Sequence, residues 1–324
     1  MKTPFIVRIA LACAITAAGM TSVTAQEFPS KPIRLLVGFT AGGGTDTVAR
    51  LYAQRLRELL ETPVVVENKP GAYETIAAQA VANAPPDGYT IGLATNIALI
   101  LGPAVREAPY DPARGFTFLG KVVETDGMFV ARKGLPVSSL EELVQYVKDR
   151  PGELNFGSTG MGSPNHLIPE YLLALTGGKA THVPYKSDGE VAREVAAGNV
   201  DFAVAVAPML APFVLDGRIN GLAVTGSERL AALPDLPSVM EGNVPQAKSL
   251  GLYAFYTFIA PAGLPPAVAE RLNAAIVDAT RSADIKQRLE SMLFRPALGS
   301  PAEVRSLVEK EIPKWRAVGR QAGL

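Results

Sequence analysis

The run Phe39-Thr40-Ala41-Gly42-Gly43-Gly44-Thr45-Asp46 combines the residue types that can hold an anion without a cation. Glycines let the backbone approach a ligand closely. A helix starting near Thr45 would turn its free N–H groups and positive dipole end toward that ligand. The run is no P-loop, since no Gly-Lys-Ser/Thr follows, and Thr47 stands where a dinucleotide fingerprint has its third glycine. A tight turn with Thr45 or Asp46 as N-cap explains the same residues equally well. A second such run is Ser158-Thr159-Gly160-Met161-Gly162-Ser163, directly before Pro164. Its hydroxyls and amides suit a carboxylate, and Ser163 ahead of a proline at the first helical position is also an ordinary helix cap.

Catalytic chemistry finds little material. His166 and His182 are the only histidines, and Cys13 is the only cysteine. A transition-metal site would need carboxylates to complete it. Gly157-Ser158-Thr159-Gly160 has the wrong spacing for a nucleophile elbow. His182 reads as a packed strand residue, while His166 serves either ligand contact or local capping beside the second loop. No catalytic residue, metal or cofactor is assigned. The alternative is an exported hydrolase or isomerase using His166 with Ser158 or Ser163.

The elements that would position these loops alternate between strand and helix. Residues 33–39 form a compact apolar strand, 45–60 a helix, 64–66 a β-branched strand, 75–84 a small-residue helix and 89–94 a strand. Past residue 125 the rhythm restarts. It has helices over 138–150, 164–175 and 189–197 and strands over 154–156, 182–185, 200–206 and 222–225. Ser138 with Glu141 predicts a capping box. Helices over 266–281, 285–292 and 301–322 close the chain. The alternation predicts an α/β protein of two similar lobes, each a mostly parallel sheet covered by helices.

The 324 residues carry 31 basic and 31 acidic side chains and 48% hydrophobic residues. That excludes a disordered or coiled-coil chain and gives no basic excess for nucleic acid. Lys2 and Arg8, the apolar run 9–19 and the small residues Val23, Thr24 and Ala25 have the layout of a secretory signal peptide cut after Ala25. Removing residues 1–25 leaves 29 basic against 31 acidic side chains, net −2, and no thiol. This suits an oxidising compartment.

Taken together, the motifs resemble the Bug-type periplasmic solute-binding proteins of tripartite tricarboxylate transporters. The matching stretches span almost the whole mature chain. They include Pro32-Ile33-Arg34-Leu35-Leu36-Val37 ahead of Ala41-Gly42-Gly43-Gly44-Thr45-Asp46, and Asn68-Lys69-Pro70-Gly71-Ala72. Pro86-Asp87-Gly88-Tyr89-Thr90, Ser163-Pro164-Asn165-His166-Leu167, His182-Val183-Pro184-Tyr185-Lys186 and Leu233-Pro234-Asp235-Leu236-Pro237 follow in order. The resemblance implies a two-lobed clamshell, with residues 26–124 and 226–324 as one lobe and 125–225 as the other. Its hinge would lie near 122–127 and within 226–258. It implies a periplasmic, monomeric, non-enzymatic protein that binds a small organic acid in the interlobe cleft and serves the permease subunits of such a transporter. A sensory role with a signalling partner is the alternative within this fold. Phe39, Ala41, Gly42, Gly43, Gly44, Thr45 and Asp46 would line one end of the cleft, Asp46 by shaping the loop. Thr95 and Asn96 would form a wall, and Ser158, Thr159, Gly160, Ser163 and His166 the second lobe's face.

The sequence departs from that pattern at several cleft positions. Tyr73-Glu74 stand where the pattern continues with glycines, Gly38 where proline is common, and Ser187-Asp188 where glycine is common. Ala205 takes the place of a polar strand residue facing the ligand. These changes point to a less polar ligand, an aromatic acid among the candidates. Glu74 would meet an amine or hydroxyl on it, or else Tyr73 and Glu74 point into solvent.

Overall fold

The computed structural model describes residues 28–250 and 253–324. The leader reading falls outside the described residues. No described helix is long and apolar enough to cross a membrane.

The chain opens with β1 (Ile33–Val37), α1 (Gly44–Leu60), β2 (Val64–Asn68), α2 (Thr75–Ala82) and β3 (Thr90–Thr95). β1 lies between β2 and β3, parallel to both, with Leu35 level with Val66 and Ile91. A strand covered on both faces needs an apolar run rather than an alternating one. Ile33, Leu35 and Val37 join one packed cluster with Tyr52 and Phe258. Leu36 joins a second on the opposite face. α1 buries Val48, Tyr52 and Leu56 at four-residue spacing. The Tyr52 hydroxyl meets Thr280 Oγ1 at 3.0 Å.

A π-helical turn (Ile97–Leu101) runs into the short α3 (Gly102–Val105). β4 (Phe116–Thr125) then passes through Asp126 straight into β5 (Gly127–Arg132) of the second sheet. That sheet continues with α4 (Leu140–Asp149), β6 (Asn155–Ser158), α5 (Pro164–Thr176), β7 (Thr181–Pro184), α6 (Asp188–Ala197), β8 (Phe202–Val206), α7 (Ala207–Leu215) and β9 (Ile219–Val224). The chain returns through β10 (Ala254–Pro261), α8 (Pro266–Arg281), α9 (Ala283–Ser291), β11 (Arg295–Gly299) and α10 (Pro301–Gln321).

The result is a two-lobed α/β clamshell with strand orders β11-β4-β10-β3-β1-β2 and β7-β6-β8-β5-β9. Both sheets are mixed. Between the sheet strands, parallel pairing joins β1 with β2 and β3, and β6 with β7 and β8. β4 leaves the first lobe and β10 re-enters it, so these neighbours run antiparallel. Residues 112–132 and 254–261 carry no helix–strand alternation of their own, and the crossing strands there are absent from the sequence reading. The cap of α4 also differs by one residue. Ser139 accepts the Glu142 amide at 3.1 Å, while Ser138 bonds the Glu142 carboxylate. Two adjacent serines and two adjacent glutamates leave that register open in sequence.

Candidate functional site

The first glycine loop lies at the carboxyl end of β1, where ligands of open α/β sheets bind. α1 begins after Gly43 with no side-chain cap. Among the described residues the amides of Gly44, Thr45 and Asp46 have no hydrogen-bond partner. They form the donor-bearing first turn of a 17-residue helix. Asp46 shapes the loop from behind. Its carboxylate accepts the Gly42 amide at 2.9 Å, Arg50 Nε at 2.9 Å and Asn68 Nδ2 at 2.8 Å. Burial alone would raise this carboxyl, but those hydrogen bonds outweigh it and bring it down to about 2. Asn68 Nδ2 also donates to the Phe39 carbonyl at 2.9 Å, tying the loop's start to β2. Asp46→Ala strands the Gly42 and Asn68 donors. It should lower stability by about 2 kcal/mol, read from the urea midpoint at pH 7.

The floor of this lobe is built by β3 and β10. Tyr256 lies level with Thr95 in their antiparallel register. Thr45 Oγ1 reaches the Tyr256 hydroxyl at 3.5 Å. Asn96, 7% exposed, donates to the Tyr253 carbonyl at 3.0 Å, and its Oδ1 is buried without a partner.

Ala72, Tyr73 and Glu74 hold φ of 47°, 55° and 64°, three successive non-glycine residues in the left-handed region. Two side chains anchor this segment. The Tyr73 hydroxyl donates to the Met161 carbonyl in the other lobe. The Arg106 guanidinium stacks 4.4 Å from the Tyr73 ring centre. Glu74 turns inward and is 3% exposed. Thr95 N donates to Glu74 Oε2 at 3.0 Å, and Thr95 Oγ1 donates to Oε1. Burial pushes the Glu74 carboxyl up to about 7 against those two bonds. The solvent-facing alternative for Glu74 is therefore corrected: the space left by Gly38 draws the side chain in. A Cβ on Gly38 would sit 2.6 Å from Glu74 Cβ.

In the second lobe the loop residues bind one another. Ser158 Oγ meets His182 Nε2 at 2.5 Å and accepts the Gly160 amide at 3.0 Å. Asn165 Oδ1 accepts Thr159 N and Oγ1, both at 3.0 Å, and Ser163 Oγ at 2.6 Å. His166 Nδ1 accepts the Gly162 amide at 3.1 Å, and its ring centre lies 4.2 Å from that of His182. Burial, and then His182, bring His166 down to about 4. These donors stabilise the loop itself. The serine–histidine contact that forms is Ser158 with His182, not His166 with Ser158 or Ser163, because β6 and β7 bring residues 158 and 182 to adjacent strand ends.

Ala205 is corrected as well. It is fully buried in the cluster of Met128, Val130, Val191 and Leu210. Strand alternation leaves Val206, at the start of α7, as the more open residue. Asn165, Asp188 and Tyr256 are absent from the sequence-derived set of site residues. Asn165 Nδ2 donates to Asp188 Oδ1 at 2.7 Å. Burial pushes Asp188 up to about 6, opposed by that bond. Only the Ser187-Asp188 departure signals this residue in sequence. Among the described residues no three His, Cys, Asp or Glu side chains are grouped to hold a metal ion.

Comparison with known proteins adds a family. The model described as "Tripartite tricarboxylate transporter family receptor" matches residues 48–324. Protein BugT of Bordetella pertussis is 30% identical, with 95% of each chain covered. An R. palustris protein solved with adipate superposes with a TM-score of 0.79 at 34% identity, covering 92% of this chain and 99% of that one. MatC of Rhodopseudomonas palustris with bound malate gives 0.76 at 29% identity, covering 90% and 100%.

Proposed function

The chain belongs to the tripartite tricarboxylate transporter receptor family, and from that premise we propose that it captures a small organic carboxylate between its lobes and delivers it to a tripartite tricarboxylate-type permease. The observation that carries this reading is the set of free amides on Gly44, Thr45 and Asp46 in a loop that contains no Lys or Arg. A carboxylate is the ligand that such a helix end satisfies. The adipate and malate in related structures lend the ligand class support.

In this reading the protein is exported, its leader is removed after Ala25, and it works in the periplasm as a monomer. The lobes divide at about residues 125 and 225. The hinge strands are β4 to β5 and the return into β10. Ligand bridging both lobes favours the closed state by its differential affinity. A micromolar ligand supplies about 8 kcal/mol toward closure. Binding without turnover is the expected behaviour. Ser158, the nearest hydroxyl to a histidine, is fully buried and already accepts an amide.

The test is thermal denaturation of the purified chain against aliphatic diacids and tricarboxylates, amino acids and aromatic acids. A ligand of the folded state at 100 times its Kd adds about 2.7 kcal/mol, a shift of a few degrees. Recovery of the added acid unchanged, at one per chain, is the second half of the expected result. A chain that no carboxylate stabilises, and that carries none when denatured and weighed, is not a carboxylate receptor.

A further inference from the structure

The two lobes touch at Met161 and Gly162, where the first lobe supplies the side chains. The Tyr73 hydroxyl donates to the Met161 carbonyl. Gly162 beside it is buried at φ 82° and has no side chain to offer. A Cβ there would lie 3.2 Å from Val105 Cγ2 and 3.9 Å from the Tyr73 hydroxyl oxygen. Both residues belong to the second loop, and the Gly162 amide is held by His166. The first lobe thus seats Tyr73 and Val105 directly on the backbone of the loop opposite.

Both side chains are held in place from their own lobe. Thr95 pins Glu74 inside, and the left-handed run 72–74 carries Tyr73 to the lobe's edge. Arg106 covers the Tyr73 ring, and its Nη2 donates to the hydroxyl at 3.4 Å, leaving the phenolic proton for Met161. Val105 rests on Gly319 of α10, where a Cβ would come within 2.8 Å of Val105 Cγ1. A backbone conformation that L residues disfavour persists only where its surroundings hold it, and such positions gather at clamps and switches. Packing within one lobe needs no hydroxyl aimed at the other.

We infer that Tyr73 is a latch on the closed form. Its bond to the Met161 carbonyl, with Val105 seated over Gly162, joins groups that opening must separate. It governs how long the clamshell stays shut and leaves recognition of the acid to the free amides of α1. The inference rests on closure between the lobes, not on which acid fills the cleft.

Pulsed electron-spin distance measurement tests this. Cys13→Ser removes the only cysteine, and Glu58→Cys with Asp149→Cys then puts one spin label on an exposed position of each lobe. Distances are recorded without acid and with adipate. Tyr73→Phe keeps the ring and the Arg106 stack and loses the bond to Met161. It should lower the ratio of closed to open molecules about fivefold, which is about 1 kcal/mol, the net worth of one hydrogen bond. Val105→Ala should lower the ratio as well, as an independent check on the same contact. The inference is overturned if both variants keep the wild-type distance distribution under both conditions. A fall in the ratio in a chain that responds to no carboxylate supports the latch, and the carboxylate reading then fails alone.

Discussion

Between pH 4.5 and pH 8 the stability difference between Glu74→Gln and the unliganded wild type should move by about 3 kcal/mol in favour of the variant. The carboxyl rises from its ordinary 4.5 to about 7 in the fold, with burial as the main cause. Below 4.5 both folded and unfolded chains carry the proton, and Glu74 adds nothing. Between 4.5 and 7 the folded chain keeps a proton that the unfolded chain has lost, so stability falls as pH rises. Above 7 the loss is complete, and at about 1.4 kcal/mol per unit it reaches about 3 kcal/mol. Gln cannot ionise and removes this slope. The wild-type profile alone would hide it. His166, 3% exposed and lowered to about 4, gains stability as pH rises from 4 to 6.5, where only the unfolded chain is protonated. The two buried groups oppose each other over roughly the same window, so the difference between Glu74→Gln and wild type is the quantity to measure. Urea unfolding at pH 4.5, 6 and 8 gives it. A difference that stays constant with pH would mean that the Glu74 carboxyl is not buried as described.

The parts of this fold legible in sequence are those with local signals. Apolar runs bounded by glycine or proline mark β1 and β3, and period-four burial marks α1. The crossing strands β4, β5 and β10 are not legible, since their partners lie far away along the chain: Tyr256 pairs with Thr95 and Val123. The site divides the same way. The first glycine loop can be read because its chemistry is backbone chemistry, supplied by residues adjacent in sequence. Tyr256 cannot, because its neighbours depend on which strands the topology brings together, and Asp188 shows only as a departure from the pattern, without its bond to Asn165. The second loop reads as a ligand surface from its hydroxyls. Those hydroxyls are taken up by Asn165 and His182, a use that composition alone cannot distinguish from ligand binding.

Gly38→Ala should cost about 3 kcal/mol in the wild-type chain and about 1 kcal/mol once Glu74 is glycine. The added Cβ would lie 2.6 Å from Glu74 Cβ, 2.7 Å from Cγ and 2.9 Å from Cα. Two of these are rigid positions next to or on the backbone, so rotation of a flexible end offers no escape, and the cost belongs at the upper end for overpacking. Glu74→Gly removes Cβ and Cγ and leaves only the close approach to the backbone of residue 74. It also frees a residue held at φ 64° from the left-handed penalty of about 1 kcal/mol. The coupling in the four-member cycle should thus be about 2 kcal/mol, measured at pH 5 so that ionisation of Glu74 contributes little. Additive costs would mean that the two residues are merely near each other. A strong coupling means that Gly38 and Glu74 are one feature. The missing side chain after β1 is then the room in which residue 74 packs its side chain, so Glu74 is tolerable only with glycine at position 38.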